Sequence, residues 1–300
     1  MEKPLSSNRP GAPSIVGELL RQGEQALSPT SSSSRLDAEV LLSHALGCSR
    51  SSLIARLRDE CATEIAVAFR GFLERRSAGE PVAYITGERE FWGLSFVVTP
   101  AVLIPRPESE LIVEEGIKAL DGIERPRILD LGTGSGCLSI ALVKETRRRG
   151  ARDLACLAID CSESALAIAR ENAARHGVAS EIDFRVSDWF SRSDLFSPPY
   201  DLIVANPPYI DPSERTPVEL SYEPSNALFA AEHGLADVRE ILSGSSRMLA
   251  PGGVLLCEVG AGKRALLHEQ ILDRYGELSI ELLGDDSPAD RFTVLRARKK

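Results

Sequence analysis

From Ser109 to the C-terminus, short apolar runs alternate with stretches whose apolar residues recur every three or four positions. This alternation constrains the fold more than any other feature. Strands that are apolar throughout must be buried on both faces, and the amphipathic helices between them supply the cover. The spacing predicts helices over 110–120, 138–149, 164–176, 235–249 and 264–275. It predicts strands over 127–130, 155–160, 182–186, 202–205 and 253–258, with two more near 278–283 and 292–297. Seven strands in this order imply a mainly parallel α/β sheet with helices on both faces, occupying residues 106–300.

The chain before that region follows a different period. Ile15, Leu19 and Leu20, then Leu36, Val40, Leu41 and Ala45, then Ile65, Ala68, Phe69, Phe72 and Leu73 fall on single helix faces. Residues 1–84 therefore read as a small bundle of four or five helices, with a Ser-rich break at 28–34. Phe91-Trp92-Gly93-Leu94-Ser95-Phe96-Val97-Val98 reads as a β-hairpin. Leu103-Ile104-Pro105-Arg106-Pro107 follows, and its prolines exclude regular helix before Glu108. Residues 85–105 are thus expected to link the two domains.

Composition narrows the function. A net charge of −9 is a poor match for a protein that grips duplex nucleic acid through phosphates. Direct nucleic-acid binding is not expected. The six cysteines show no C-x-x-C spacing and the four histidines are scattered, so no metal site is expected. The start of the chain lacks a signal-peptide pattern, and no run approaches the ~18–20 apolar residues of a membrane span. A cytoplasmic monomer without membrane contact is expected.

Two segments carry chemistry. Asp130-Leu131-Gly132-Thr133-Gly134-Ser135-Gly136 ends a strand and opens a helix. Glycines there permit a sharp turn and close approach of backbone to a ligand, and the helix N-terminus favours an anionic group. A dinucleotide fingerprint requires G-x-G-x-x-G, whereas this loop is G-x-G-x-G. Asp160, at the tip of the next strand, suits a ribose diol in either cofactor and does not choose between them. The compact glycine spacing and Asp130 favour S-adenosylmethionine; a purely structural turn is the plain alternative. In Ser187-Asp188-Trp189-Phe190, the acid suits an adenine amino group. Trp189 suits stacking on the base, or else a place in the core.

Asn206-Pro207-Pro208-Tyr209 directly follows an apolar strand, at the carboxyl edge where open α/β sheets bind ligands. Two prolines fix two φ angles and remove two N–H donors. The Asn206 side-chain oxygen and the Pro207 carbonyl can then accept both N–H bonds of a planar amide or amino nitrogen. They would stabilise the charge that develops as a methyl group arrives. Tyr209 can stack on that flat group. No general base is required, because the methylated nitrogen becomes strongly acidic.

These segments resemble the protein-(glutamine-N5) methyltransferases that modify peptide-chain release factors. The likeness runs from Pro81 to Arg298 and rests on several further segments. They are Pro81-Val82-Ala83-Tyr84-Ile85-Thr86-Gly87, Glu90-Phe91-Trp92-Gly93-Leu94 and Leu103-Ile104-Pro105-Arg106-Pro107-Glu108-Ser109-Glu110. Tyr222-Glu223-Pro224 and Pro251-Gly252-Gly253 complete the series. The resemblance implies a Rossmann-like methyltransferase sheet and methylation of the glutamine in the Gly-Gly-Gln loop of class I release factors. It implies cofactor contacts at Gly132, Thr133, Gly134, Ser135, Gly136, Asp160, Trp189 and Asn206. It implies a substrate site at Asn206, Pro207, Pro208 and Tyr209, with Asn206, Pro207 and Tyr209 as the catalytic set, and a helical domain that docks the protein substrate. Three places depart from the family pattern: Ser109 for the usual Thr, Lys263 in a segment expected to carry Gln, and an irregular turn at 285–291. Alternatives from the residues alone are a ribosomal-protein glutamine methyltransferase, an adenine-N6 nucleic-acid methyltransferase acting on a flipped base, and a non-catalytic cofactor-binding protein.

Overall fold

The structure, a computed structural model, describes residues 14–196, 199–260, 262–271, 274–284 and 292–300. The turn at 285–291 lies outside the described residues, as does the polar segment 1–13. Contacts divide the chain between Gly87 and Glu88, three residues past the expected end of the bundle.

The first unit comprises β1 (Ser14–Ile15), α1 (Val16–Leu27), α2 (Ser34–Ala45), α3 (Arg50–Ala55), β2 (Glu60–Cys61), α4 (Thr63–Ser77) and α5 (Val82–Thr86). The two short strands pair antiparallel. Leu20, Leu27, Leu41, Leu42, Leu53 and Phe69 form its core. The Ser-rich break turns the chain between α1 and α2, and its hydroxyls serve a buried charge. Ser31 and Ser33 donate to the Asp37 carboxylate at 2.8 and 2.9 Å, and Arg76 Nε on α4 donates to it at 2.8 Å. Removing one partner of a buried ion pair leaves the other charge uncompensated. Arg76→Ala is therefore expected to destabilise this unit by about 3 kcal/mol. Urea unfolding of the full chain, with hydrogen exchange reporting on α1, α2 and α4, measures it; a loss under about 1 kcal/mol contradicts the assignment.

The second unit opens with a hairpin, β3 (Glu88–Phe91) and β4 (Leu94–Val97), turning at Trp92 and Gly93 with φ of 53° and 68°. It belongs to this unit rather than standing as a separate linker, since Phe91 and Phe96 are buried in the core beneath the sheet. The Asn172 side chain accepts from Val97 N–H and donates to the carbonyls of Val97 and Ser135. One amide thus joins the hairpin to the glycine loop.

The remaining elements are α6 (Glu110–Ala119), β5 (Arg127–Leu131), α7 (Cys137–Arg148), β6 (Ala155–Asp160), α8 (Glu163–Arg175), β7 (Ile182–Val186), β8 (Tyr200–Ala205), α9 (Ala231–Gly234), α10 (Ala236–Met248), β9 (Leu249–Gly260), α11 (Arg264–Gln270), β10 (Leu278–Leu283) and β11 (Phe292–Lys299). Seven strands form one sheet in the order β10-β11-β9-β8-β5-β6-β7. Only β11 runs against its neighbours; the β5–β6, β6–β7, β5–β8 and β8–β9 pairs are parallel. This is the mainly parallel sheet that the alternation implied. Leu202 and Val204 face the core made with α6, α7 and α8, while Ile203 and Ala205 face the core made with α10 and α11. Burial on both faces explains the unbroken apolar run. The strand order reverses between β5 and β8, so the loops leaving their carboxyl ends flank one crevice. α11 ends at Gln270, shorter than the helix expected to Tyr275.

Candidate active site

The glycine loop leaves β5 through three left-handed residues, Gly132, Gly134 and Gly136, with φ of 71°, 55° and 82°. A side chain at these φ values is strained, so the loop is left as bare backbone facing the crevice. Gly136 caps α7. Beneath the loop Asp130 is fully buried; its Oδ2 accepts from Thr133 Oγ1 at 2.6 Å, while its Oδ1 has no partner. Burial pushes its pKa up to about 6, against the opposing hydrogen bond of Thr133. Asp160 Oδ2 accepts from Gly134 N–H at 2.9 Å, and its Oδ1 from Ser162 N–H at 2.9 Å. Its pKa is raised by burial, which these backbone donors oppose. The carboxylate therefore fixes the loop from below, and each oxygen keeps a lone pair for a further donor.

Trp189 stands over this loop. A Cβ on Gly132 would lie 3.3 Å from the indole ring. The ring is held by its own N–H, which donates to Asp237 Oδ1 at 2.8 Å, and the backbone takes a left-handed φ of 39°. Ser187 Oγ donates to the Trp189 carbonyl at 2.9 Å. A constrained, non-glycine residue in this region marks a position the surroundings over-determine.

The opposite wall is the segment before α6. Glu223 is buried; its Oε2 accepts from Ile104 N–H at 3.0 Å and its Oε1 pairs with Arg106 Nη2 at 2.5 Å. A single carboxylate thus ties Ile104-Pro105-Arg106 to Tyr222-Glu223-Pro224.

The tetrapeptide leaves β8. Asn206 Nδ2 donates to Ser109 Oγ at 3.0 Å, and Ser109 Oγ donates to Glu258 Oε2 at 2.5 Å. Asn206 Oδ1 is shielded from solvent and has no partner. Burial raises the pKa of both Tyr209 and Glu258. The Tyr209 ring rests on Gly260, where a Cβ would approach it to 2.6 Å.

These parts enclose a cavity of about 320 Å³. Gly132, Thr133, Gly134, Ser135, Asp160, Asp188, Trp189, Asn206 and Pro208 line it, together with Ser109, Arg106 and Cys161. Gly136 lies behind the loop, and Pro207 and Tyr209 are not lining residues. The sequence reading missed Ser109, Glu223 and Glu258 as functional positions. Ser109 stood out only as a departure from the family. A lone acid ending the apolar run Val254-Leu255-Leu256-Cys257 was the available signal for Glu258. Lys263, another departure, donates to the His233 carbonyl at 2.6 Å and to Glu214 at 3.0 Å.

A switch-point cavity between a glycine loop and a proline-stiffened turn defines a methyltransferase of Rossmann-like architecture, and residues 124–276 match the family described as "Methyltransferase domain". Residues 18–87 match the "PrmC N-terminal domain". The release factor glutamine methyltransferase of Burkholderia pseudomallei is 38% identical over 296 residues, spanning 96% of this chain and 97% of that one. The Escherichia coli (strain K12) protein of the same name is 41% identical over 272 residues, 89% and 93% of the two chains. The hMettl16 catalytic domain, solved in complex with the MAT2A 3′UTR hairpin 6, shares the fold. It has a TM-score of 0.53 at 17% identity, over 76% of this chain and 81% of that one. This chain belongs to the release factor glutamine methyltransferase family.

Proposed function

We propose that the protein transfers a methyl group from S-adenosylmethionine to the side-chain N5 of the glutamine in the Gly-Gly-Gln motif of class I peptide-chain release factors. The observation that carries this reading is Asn206 Oδ1, a buried acceptor with no partner in the wall of the cavity that holds the glycine loop. A buried polar atom left unpaired is costly and calls for a ligand donor. The amide N–H of a glutamine side chain meets that need.

The cavity residues fit the cofactor. Gly132 and Gly134 offer backbone without a Cβ beside Thr133 and Ser135, Gly136 opens the helix behind them, Asp160 keeps acceptor capacity for a ribose, and Trp189 offers an anchored ring for a base. When bound, S-adenosylmethionine supplies a methyl group made electrophilic by the sulfonium it leaves. Asn206 Oδ1 and the Pro207 carbonyl accept the two N–H bonds of the glutamine, orient its nitrogen and stabilise the charge gained there. Pro208 stiffens the turn. Tyr209, braced on Gly260, holds the flat amide in place. The helical unit docks the protein substrate, and Leu36, Ile54 and Val67, exposed on α2, α3 and α4, are the apolar positions available to it. No helix among the described residues is long and apolar enough to cross a membrane. With a net charge of −9, the protein is proposed to act as a cytoplasmic monomer without gripping nucleic acid.

The test is transfer of labelled methyl from S-adenosylmethionine to four substrates. They are a class I release factor, its Gln→Ala loop variant, a ribosomal protein and duplex DNA. Label is expected on the first alone. Equal label on the loop variant would overturn the glutamine assignment, and preferential label on the ribosomal protein or DNA would replace the release factor as substrate.

A further inference from the structure

Glu258 on β9, Ser109 ahead of α6 and Asn206 after β8 form one chain of hydrogen bonds. Glu258 is 1% exposed, and its Oε2 accepts the Ser109 hydroxyl at 2.5 Å. Ser109 has one hydroxyl proton; with that proton committed to Glu258, its oxygen can only accept from Asn206. The Asn206 amide must therefore turn its NH₂ toward Ser109, at 3.0 Å, and Oδ1 away from it. Without the carboxylate, Ser109 could donate to Oδ1 instead. The amide would then turn over and present an N–H to a substrate that also brings an N–H.

We propose that Glu258, acting through Ser109, fixes the orientation of the Asn206 amide and thereby makes the site an acceptor for an N–H-bearing nitrogen. Glu258 and Ser109 are positioning residues for methyl transfer. This rests on the proposed role of Asn206 as the acceptor for the glutamine amide. A Gln at 258 carries an NH₂ as well as an oxygen, so it can present a donor to Ser109 and leave that hydroxyl free to turn toward Asn206 Oδ1.

The test compares S109A, E258Q, the double variant and S109T by turnover on the release factor and by S-adenosylmethionine affinity. Expected are kcat losses of about 10–100-fold in each single variant, smaller than the ~10²-fold or more of outright removal because the acceptor is misplaced rather than lost. The double variant should be no worse than about 3-fold below the worse single one, because both act through one chain. S109T should recover most of the turnover lost in S109A, and cofactor affinity should stay within about 3-fold of the parent throughout, since the glycine loop is untouched. Fully additive losses, or turnover loss that follows cofactor affinity, would overturn the proposal. A second readout needs no substrate: the Asn206 side-chain NH₂, assigned by its absence in Asn206→Ala, in ¹⁵N-asparagine-labelled protein. Its protons should exchange slowly in the parent and rapidly in S109A and E258Q. Unchanged exchange sinks the relay even if the parent labels the release factor. Changed exchange in a parent that does not label it sinks the substrate assignment and leaves the relay standing.

Discussion

Asn206→Ala is expected to lower kcat by about 10³-fold, equivalent to about 4 kcal/mol of transition-state stabilisation. The substitution removes Oδ1, the buried acceptor left open by the hydrogen-bond chain, along with the Nδ2 donor to Ser109. The Pro207 carbonyl is retained, so the residual rate reflects one acceptor in place of two and a nitrogen free to turn out of line. Cofactor affinity is a separate matter. Residues 132–136 are held by Asp160, by the Thr133 N–H to Ile159 bond and by Asn172, none of which touches Asn206. Kd for S-adenosylmethionine is therefore expected to stay within about 3-fold of the parent, as for independent sites. Single-turnover transfer from pre-bound labelled cofactor separates the two quantities. A variant that keeps more than about a tenth of the parent rate would remove Asn206 from the mechanism, because loss of one such contact ordinarily costs ~10²-fold or more.

The sheet was legible because burial on both faces writes short continuous apolar runs, as at Leu202-Ile203-Val204-Ala205, and turn residues bound them, whereas the similar run Ile140-Ala141-Leu142-Val143 sits inside a longer helical period. The crevice was legible from order alone: a glycine loop after β5 and a proline turn after β8 fall on either side of the strand-order reversal. Ser109 and Glu258 were not legible as a pair, being 149 residues apart and joined only by the sheet's closure. Glu223 was visible inside Tyr222-Glu223-Pro224, yet its bonds to Ile104 and Arg106 cross more than a hundred residues. Boundaries failed where tertiary packing decides them. The hairpin looks like a linker by sequence position, but Phe91 and Phe96 commit it to the second unit's core. Local periodicity reports which face is apolar; it does not report what that face meets.

The turn that supports Tyr209 from behind supplies the second large effect. The short element α9 is in fact a left-handed turn, since Glu232, His233 and Gly234 have successive φ of 53°, 58° and 81°. Asp211 meets the His233 ring at 3.0 Å, and Lys263 holds the His233 carbonyl. A Cβ on Gly234 would lie 2.1 Å from the Tyr209 carbonyl oxygen, which is backbone and cannot rotate away. Gly234→Ala must therefore push the tetrapeptide or break the turn. Either movement displaces the acceptors from a geometry in which about 1 Å costs ~10²-fold in rate. A kcat loss of about 10²-fold or more is expected, with the fold retained. Gly252→Ala isolates the cause. Gly252 has a comparable φ of 77° but nothing within 4 Å of its added Cβ. That variant should carry only the left-handed backbone strain, about 1–2 kcal/mol of stability, and leave kcat unchanged. Thermal unfolding and kcat measured on both variants decide the matter. If the two lose activity alike, strain in the backbone rather than contact with Tyr209 is responsible. If Gly234→Ala keeps its rate, the tetrapeptide does not depend on this turn for its position.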